Sequence, residues 1–577
     1  MFSNEGRTRV AYFSMEIALD PDIPTYAGGL GVLAGDFLRA AADLAFPMVG
    51  VTLAYRAGFF RQHLDEVGSQ TEAADGWVPE GTLRPTGVEI DVLVGGRAVR
   101  VRAWRFEVIG RTGFAVPVYL LDTDLEANTG ADRALTAALY AGDARYRLAQ
   151  EAILGIGGEA VLRALGIGPI ESYHMNEGHS ALLVLALLEQ RMIADGRSVP
   201  GPKELDAVRG HCLFTTHTAV PAGHDRFPSG LVREVLGDER LALLARVDAL
   251  ADDELNMTYL ALLGSRYVNG VAMLHGEVSS RLFPSYAVHA ITNGVHALTW
   301  TSAPFAALYD RHFPEWRADN RYLRYAFGIP CGDVREAHAQ AKAILISEVA
   351  RRSGVMLDGA AFTIGFARRA TAYKRAGLLF SDPGRLRRIA DAVGPLQIVF
   401  GGKAHPRDEE GKALIRAIYA AAAELRGTVR VVYVENYDVT WARVLTSGVD
   451  LWLNTPERPL EASGTSGMKA ALNGVPSCSI LDGWWIEGHV EGATGWSIGN
   501  GQSGATSAGD DAASLYDKLE RVILPAFYGG GDAYARVMRT AIAINGSFFN
   551  TQRMLEQYAA NAYAAVQTHP DAALQAR

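Results

Sequence analysis

Lys469 closes the run Glu461, Ala462, Ser463, Gly464, Thr465, Ser466, Gly467, Met468, a stretch of small and hydroxylated residues after the apolar, strand-like residues 449–453. A short helical pattern starts near Met468, with Lys469 one residue into it. Backbone N–H groups of Thr465, Ser466 and Gly467, exposed at such a strand-to-helix junction, suit a phosphate. A lysine beside that cradle serves either as a counter-charge or as an amine that forms a Schiff base with a phosphorylated aldehyde. The structural alternative is a plain turn.

Four further places hold residues of chemical use. Arg368, Arg369, Lys374 and Arg375 crowd the segment ARRATAYKR directly after the apolar residues 362–366, as a solvated surface or as an anion site. The turn TYAGGLGVLAGD places Gly28, Gly29 and Gly31 just before a helix, where backbone N–H groups can approach an anion or a sugar, or where the turn simply packs tightly. In IESYHMNEGHS, the residues His174, Asn176, Glu177 and His179 fall at the carboxyl end of a strand, the usual ligand edge of an open α/β sheet; His174 reads equally well as a hydrogen-bonded core residue. The segment HTAVPAGHDRF carries His217, His224 and Asp225, whose spacing matches no zinc pattern, so no metal is expected.

The elements that must position these residues alternate. Strand-like residues 10–15 and 48–54 flank a helical pattern at 31–45, and residues 131–165 read as long helix. In the second half, strands at 362–366, 397–401, 429–434 and 449–453 alternate with helices at 410–425 and 439–447. This is the βαβ rhythm of doubly wound parallel sheets. Residues 88–120 interrupt it with three alternating extended runs, a β-rich elaboration. With 577 residues, two large domains are expected. The adjacent Trp484 and Trp485 either plug a domain interface or stack a sugar, and the interface is the better reading.

Bulk composition narrows the partners. Hydrophobic residues make up 49% and charged residues 21%, and 55 Lys+Arg against 64 Asp+Glu leave a formal charge of −9, which argues against nucleic acid or an anionic membrane as a partner. Cys212, Cys331 and Cys478 form no CxxC pair and read as buried free thiols. The first twenty residues lack an apolar signal core and no apolar run approaches a membrane span, so a cytoplasmic protein is expected.

The run EASGTSGMK resembles the pyridoxal phosphate attachment segment of the α-glucan phosphorylases that act on glycogen, starch and maltodextrin, in their shorter bacterial form. Similar segments recur in order over roughly residues 8–565: GGLG, HTxxP, TNG, the ARRATAYKR loop, GGKA and ENY. The resemblance implies an α/β chain of GT-B architecture, two Rossmann-like domains, 1–297 and 298–577, facing a cleft, with HAITNGVHALTW at the end of the first, Asn293 and Gly294 on the cleft side of the hinge, and the last helix crossing back to the first domain. It implies retaining phosphorolysis of terminal α-1,4-glucosidic bonds by orthophosphate, releasing α-glucose 1-phosphate, with pyridoxal 5′-phosphate as proton-shuttling cofactor.

Carried over residue by residue, Lys469 would anchor the cofactor, Lys374 would hold its phosphate, and Arg369 would grip the substrate phosphate. Arg368 stands where the family has lysine, and Thr371 where longer members have histidine. Gly464, Thr465, Ser466, Gly467, Gly29 and Tyr437 would line the cofactor, with residues 401–404 and 435–437 packed around it. Glu461, Ser463, Gly464, Asn293, Gly29, Gly31 and His217 would meet the glucosyl unit and phosphate, and the His217 carbonyl would help stabilise charge at the anomeric carbon. A homodimer is a family expectation. Two rival readings remain open at this stage: a nucleotide-sugar GT-B transferase resembling glycogen synthase, which lacks the lysine of GTSGMK, and an inactive glucan- or cofactor-binding protein.

Overall fold

The computed structural model describes residues 9–220, 223–499 and 507–564. Its first strand, β1 (Val10–Ser14), is buried along its whole length, as expected of a strand covered on both faces. It lies parallel to β2 (Met48–Leu53), and the connecting helix α1 (Gly29–Asp43) starts two residues earlier than the sequence pattern suggests. The cause is Glu16, whose Oε2 accepts the N–H groups of Ala27 and Gly28 at 2.6 and 3.1 Å and so caps the chain as it turns into the helix. A side chain at Gly31 would stand 2.7 Å from that same oxygen, so glycine is required there for close approach.

A small antiparallel hairpin, β3 (Arg61–Leu64) with β4 (Gln70–Ala73), leaves the sheet. The β-rich elaboration is β5 (Arg84–Val94), β6 (Arg97–Ile109) and β7 (Ala115–Asp122); β5 and β6 extend the sheet antiparallel, and β7 returns parallel to β2. The strands β8 (Ser172–Asn176) and β9 (Cys212–Thr215) follow, then a separate three-stranded sheet of β10 (Arg226–Pro228), β11 (Leu250–Ala251) and β12 (Glu254–Asn256), and finally β13 (Tyr267–Gly270) and β14 (Val288–Ala290). The large sheet runs β14-β13-β9-β8-β1-β2-β7-β6-β5. Its order reverses between β1 and β8, so the carboxyl ends at Ser14 and Asn176 flank a topological switch point.

A second sheet, entirely parallel, comprises β15 (Phe362–Ala367), β16 (Leu396–Gly401), β17 (Val429–Val434), β18 (Leu451–Asn454), β19 (Ser477–Ile480) and β20 (Gly495–Ile498). The order β17-β16-β15-β18-β19-β20 is the doubly wound 3-2-1-4-5-6 arrangement, reversing between β15 and β18. The basic segment leaves β15 and the loop carrying Glu461 leaves β18, so both emerge at this second switch point. Helix α2 (Ser466–Ala471) follows that loop, and α3 (Thr551–Tyr558) near the end of the chain packs Met554, Leu555 and Tyr558 into the core around α1. Mixed α/β architecture with parallel sheets is thus established.

Two sequence expectations differ from the structure. The long helix over 131–165 is broken: Tyr140 and Gly142 adopt φ of 55° and 67°, Asp143 caps a new helix Ala144–Ala152, and a wider turn Ile153–Gly157 joins it to Gly158–Ala164. Side chains at Gly155 and Gly158 would lie 2.5 Å from the Leu183 N and 2.6 Å from the Phe13 ring, so these glycines let the helix press onto its neighbours. Trp484 and Trp485 are buried in the core of the second sheet, Trp484 edge-on to Phe549 at 4.8 Å. The contact to the other half comes from Glu487, which accepts the Met273 N–H and the Thr292 hydroxyl.

Candidate active site

Lys469 is the fourth residue of α2, two residues deeper than the sequence pattern places it. The helix starts at Ser466, whose hydroxyl accepts the Trp452 indole N–H at 3.0 Å, and a side chain at Gly467 would meet Trp484 at 2.7 Å, so α2 is seated tightly on the sheet. The Lys469 amine is consequently buried, 4.1 Å from the centroid of the Trp300 ring, and forms no ion pair among the described residues. Burial pushes it down to about 8, against the opposing pull of Asp36. A substantial neutral fraction near neutral pH makes this amine a competent nucleophile toward a carbonyl.

Upstream on the same loop, Glu461 gathers two cations. Its Oε2 lies 2.9 Å from Arg368 Nη1 and also accepts from Lys374 Nζ, and all three side chains are nearly buried. Burial alone would raise the Glu461 carboxyl, but Arg368 and Lys374 outweigh it and hold it down at about 2. Lys374 further rests on the face of Tyr373, 4.4 Å from the ring centroid. Gly464 takes φ of 82°, and a side chain there would lie 3.4 Å from Arg368 Nη2.

The loop is clamped from below by Asp482, which accepts the Glu461 N–H at 2.9 Å, and by the Trp484 N–H, which donates to the Ser463 carbonyl. Burial lifts Asp482 to about 6. The Ser463 Oγ, Asn454 Oδ1 and Thr371 Oγ1 are buried without a hydrogen-bond partner among the described residues. A water or a polar ligand would satisfy such atoms.

Arg369 does not join this cluster. It is exposed, and its charge acts on His405 instead. Tyr437 is half-buried against Gly401, near Arg368. Residues 402–404 and 435–436 dock against the β3–β4 hairpin: Gln62 Nε2 donates to the Gly402 carbonyl, Gln70 Nε2 to the Ala404 carbonyl, and the Leu64 N–H to Glu435.

The first sheet contributes the other wall. A side chain added at Gly29 would meet nothing within 4 Å, so its backbone borders open space. The His217 N–H donates to Glu177 Oε2 at 2.7 Å and its Nε2 pairs with Asn176 Oδ1 at 2.6 Å; burial drives the imidazole down to about 4, so it is neutral at pH 7. The Asn293 carbonyl accepts from Arg553 of α3 at 2.8 Å. His174, between Tyr563 and Thr215, is a core residue.

A model of the carbohydrate phosphorylases matches residues 15–100 and 236–495. The chain belongs to the carbohydrate phosphorylase family. Over 96% of its length it is 39% identical to a maltodextrin phosphorylase of Thermococcus litoralis, covering 70% of that protein, and 36% identical to a glycogen phosphorylase of Mycobacterium bovis, covering 71%. A glycogen phosphorylase of Aquifex aeolicus is 33% identical over the same share of the chain, with 86% of that protein covered.

In this carbohydrate phosphorylase homologue the residues fit a phosphorylated aldehyde cofactor: a buried amine without an ion pair among the described residues, cations at the next strand end, and unpartnered polar atoms at Ser463, Asn454 and Thr371. Asp36, Trp300, Asp482, Arg147 and Glu151 escaped the sequence reading, whereas His179 and Asp225 were among its candidates. Asp36 and Trp300 flank Lys469, Asp482 holds the Glu461 loop, and Arg147, Glu151, His179 and Asp225 form a cluster beside a cavity of about 640 Å³. The cavity is lined by Arg147, His224, Asp225, Arg226 and Phe227 from one half and Arg407 from the other. Arg147 Nε, His179 Nδ1, His224 Nε2 and both Glu151 oxygens lack partners among the described residues. For Asp36 the available signal was an acidic residue within the apolar stretch GLGVLAGDFL. Among the described residues no group of histidine, cysteine and carboxylate side chains is arranged to hold a metal, and no helix is long and apolar enough to cross a membrane.

Proposed function

We propose that the chain is an α-glucan phosphorylase, cleaving a terminal α-1,4-glucosidic bond with orthophosphate and releasing α-glucose 1-phosphate with retained configuration. The carrying observation is the loop from β18, which bears on one short stretch both the buried amine of Lys469 and the Glu461 carboxylate shared by Arg368 and Lys374. We assign residues 1–297 and 298–577 to two domains of GT-B architecture whose strand ends face one cleft.

Lys469 anchors pyridoxal 5′-phosphate, with Lys374, Arg368, Tyr437, Gly464, Thr465, Ser466 and Gly467 around it. That cofactor supplies, when bound, a phosphate group that exchanges a proton with the substrate phosphate. Lys374 and Arg368 carry the positive charge that lets two phosphates share the site, and the exposed Arg369 is free to grip the incoming one. Orthophosphate gives a proton to the leaving glucosidic oxygen as the C1–O bond breaks, and a phosphate oxygen then bonds to C1. Glu461, Ser463 and Asn293 bind the glucosyl hydroxyls, Gly29 and Gly31 border the phosphate, and the His217 carbonyl steadies positive charge at C1. The cavity beside Arg147 and Asp225, ringed by unpartnered polar atoms, takes the leaving glucan.

The test is borohydride reduction of the purified protein followed by peptide mass analysis, together with a phosphorolysis assay on a maltodextrin. The reading expects a pyridoxal phosphate adduct on Lys469 and glucose 1-phosphate as product. Cofactor-supplemented protein without an adduct would sink it and leave a nucleotide-sugar transferase or an inactive binding protein in its place.

A further inference from the structure

The amine of Lys469 and the carboxylate of Asp36 approach one indole. Lys469 Nζ lies 4.1 Å from the Trp300 ring centroid, and the Trp300 indole N–H donates to Asp36 Oδ2 at 2.6 Å. Asp36 is 1% exposed and comes from α1 on the first sheet, whereas Lys469 comes from α2 on the second. Its Oδ2 also accepts the His296 N–H at 3.2 Å, and its Oδ1 faces Arg39 Nη1 at 3.4 Å. Of the other charged groups nearby, Arg443 acts on both Arg39 and Asp36, and the His296 ring turns away to Asp43 at 3.0 Å.

The plain reading makes Asp36 a structural acceptor that pins α1 to the segment before Trp300. An asparagine of the same shape would accept the same two N–H bonds without the cost of burying a charge. Beyond its ion pair with Arg39, the charge adds an effect on Lys469, where Asp36 is the one charged group that pulls the amine upward against its burial. Arg39 spends its second terminal nitrogen on the carbonyls of Ala18 and Leu19.

We propose that Asp36 is a positioning residue for Lys469: it fixes the indole under the amine and supplies, from the opposite half of the molecule, the counter-charge that the amine meets. This deepens the assignment of Lys469 as cofactor anchor and rests on it for its consequence. The readiness of Lys469 for a carbonyl then depends on how α1 is seated. A family whose anchor lysine met only apolar groups would lack that coupling.

The test reads the pH dependence of Lys469 modification in the cofactor-free full chain, using pyridoxal as probe, borohydride trapping and peptide mass analysis. The wild-type profile should have its midpoint near 8. In Asp36→Asn the midpoint falls by about one pH unit, so the neutral fraction at pH 7 rises from about a tenth to about a half and modification speeds up roughly fivefold. Asp36→Glu should recover most of the wild-type profile. Superimposable profiles for wild type and a cooperatively melting Asp36→Asn overturn the proposal. Should Asp36→Asn not fold, Trp300→Phe carries the test: it keeps a ring but frees the carboxylate of its donor, so the midpoint moves above the wild-type value, and an unchanged midpoint is the overturning result. Failure of the wild-type chain to retain pyridoxal 5′-phosphate would sink the proposed function separately, because this profile needs no cofactor.

Discussion

Arg368 Nη1 stands 2.9 Å from Glu461 Oε2, the oxygen that also receives Lys374 Nζ. The carboxylate thus neutralises the very cations that an incoming phosphate needs, and phosphate must compete with it for them. Glu461→Gln should therefore tighten binding of inorganic phosphate to the cofactor-free chain by roughly tenfold. The same change removes an ionised acceptor for glucosyl hydroxyls, so kcat/KM for the glucan should fall. Isothermal titration with phosphate and initial rates on a maltodextrin check the two halves of the prediction.

Burying an ammonium without an ion pair costs stability, and Lys469 is pushed down to about 8 by that burial. Lys469→Met keeps the stem and discards the charge. The cofactor-free variant should be more stable than the wild type by about 1–3 kcal/mol at pH 7, in urea melts. The sign of the pH dependence follows: above pH 8 the folded chain sheds this proton while the unfolded chain keeps it to about 10.5. Wild-type stability rises over that window and the advantage of the methionine narrows. Phosphorolysis should be lost at every pH.

Two glycine positions separate fold from function. Gly402 has φ of 142°, and a side chain there would lie 1.8 Å from the Arg368 carbonyl, so Gly402→Ala must push the Arg368 backbone away and should cost stability and activity together. Gly29→Ala meets nothing within 4 Å and should fold normally. If the Gly29 backbone borders the reacting phosphate, the alanine variant loses phosphorolysis at least about tenfold with an unchanged melting temperature, since a methyl group fills space meant for substrate. Wild-type activity in Gly29→Ala would remove this loop from the site.

Much of the fold was legible because buried parallel strands are continuous apolar runs, as at β1, β15 and β16. The loops after those strands were legible as chemistry for the same reason, since polar residues directly after an apolar run have few structural uses. What one sequence withholds is direction and distance. Arg368 and Arg369 are neighbours, yet one is buried on Glu461 and the other is exposed, because successive residues leaving a strand point to opposite sides. The Asp36–Trp300 bond spans 264 residues and the Gln62–Gly402 bond 340, and no local periodicity encodes such a pairing. The broken helix over 131–165 was missed because Tyr140 holds a left-handed φ that its residue type does not announce.

Buried histidines oppose acid, and two of them are held down furthest. Burial drives His217 down to about 4 and His174 to about 3, with their ring nitrogens held by Asn176 and by Tyr563 and Thr215. Unfolded, both would bind a proton near 6.5; folded, both refuse it. Below pH 6.5 the unfolded chain therefore holds more protons than the folded one, and stability falls as pH drops, by about 1.4 kcal/mol per unit for each histidine until its folded value is reached. Urea melts between pH 7 and 4 should show this slope. His174→Gln keeps a hydrogen-bonding side chain without a titrating ring, and should make the slope shallower, by up to about 1.4 kcal/mol per pH unit, while leaving phosphorolysis near the wild-type level. A variant that keeps the full slope would show that His174 is not one of the groups responsible. Loss of phosphorolysis without loss of stability would instead move this core histidine into the catalytic site.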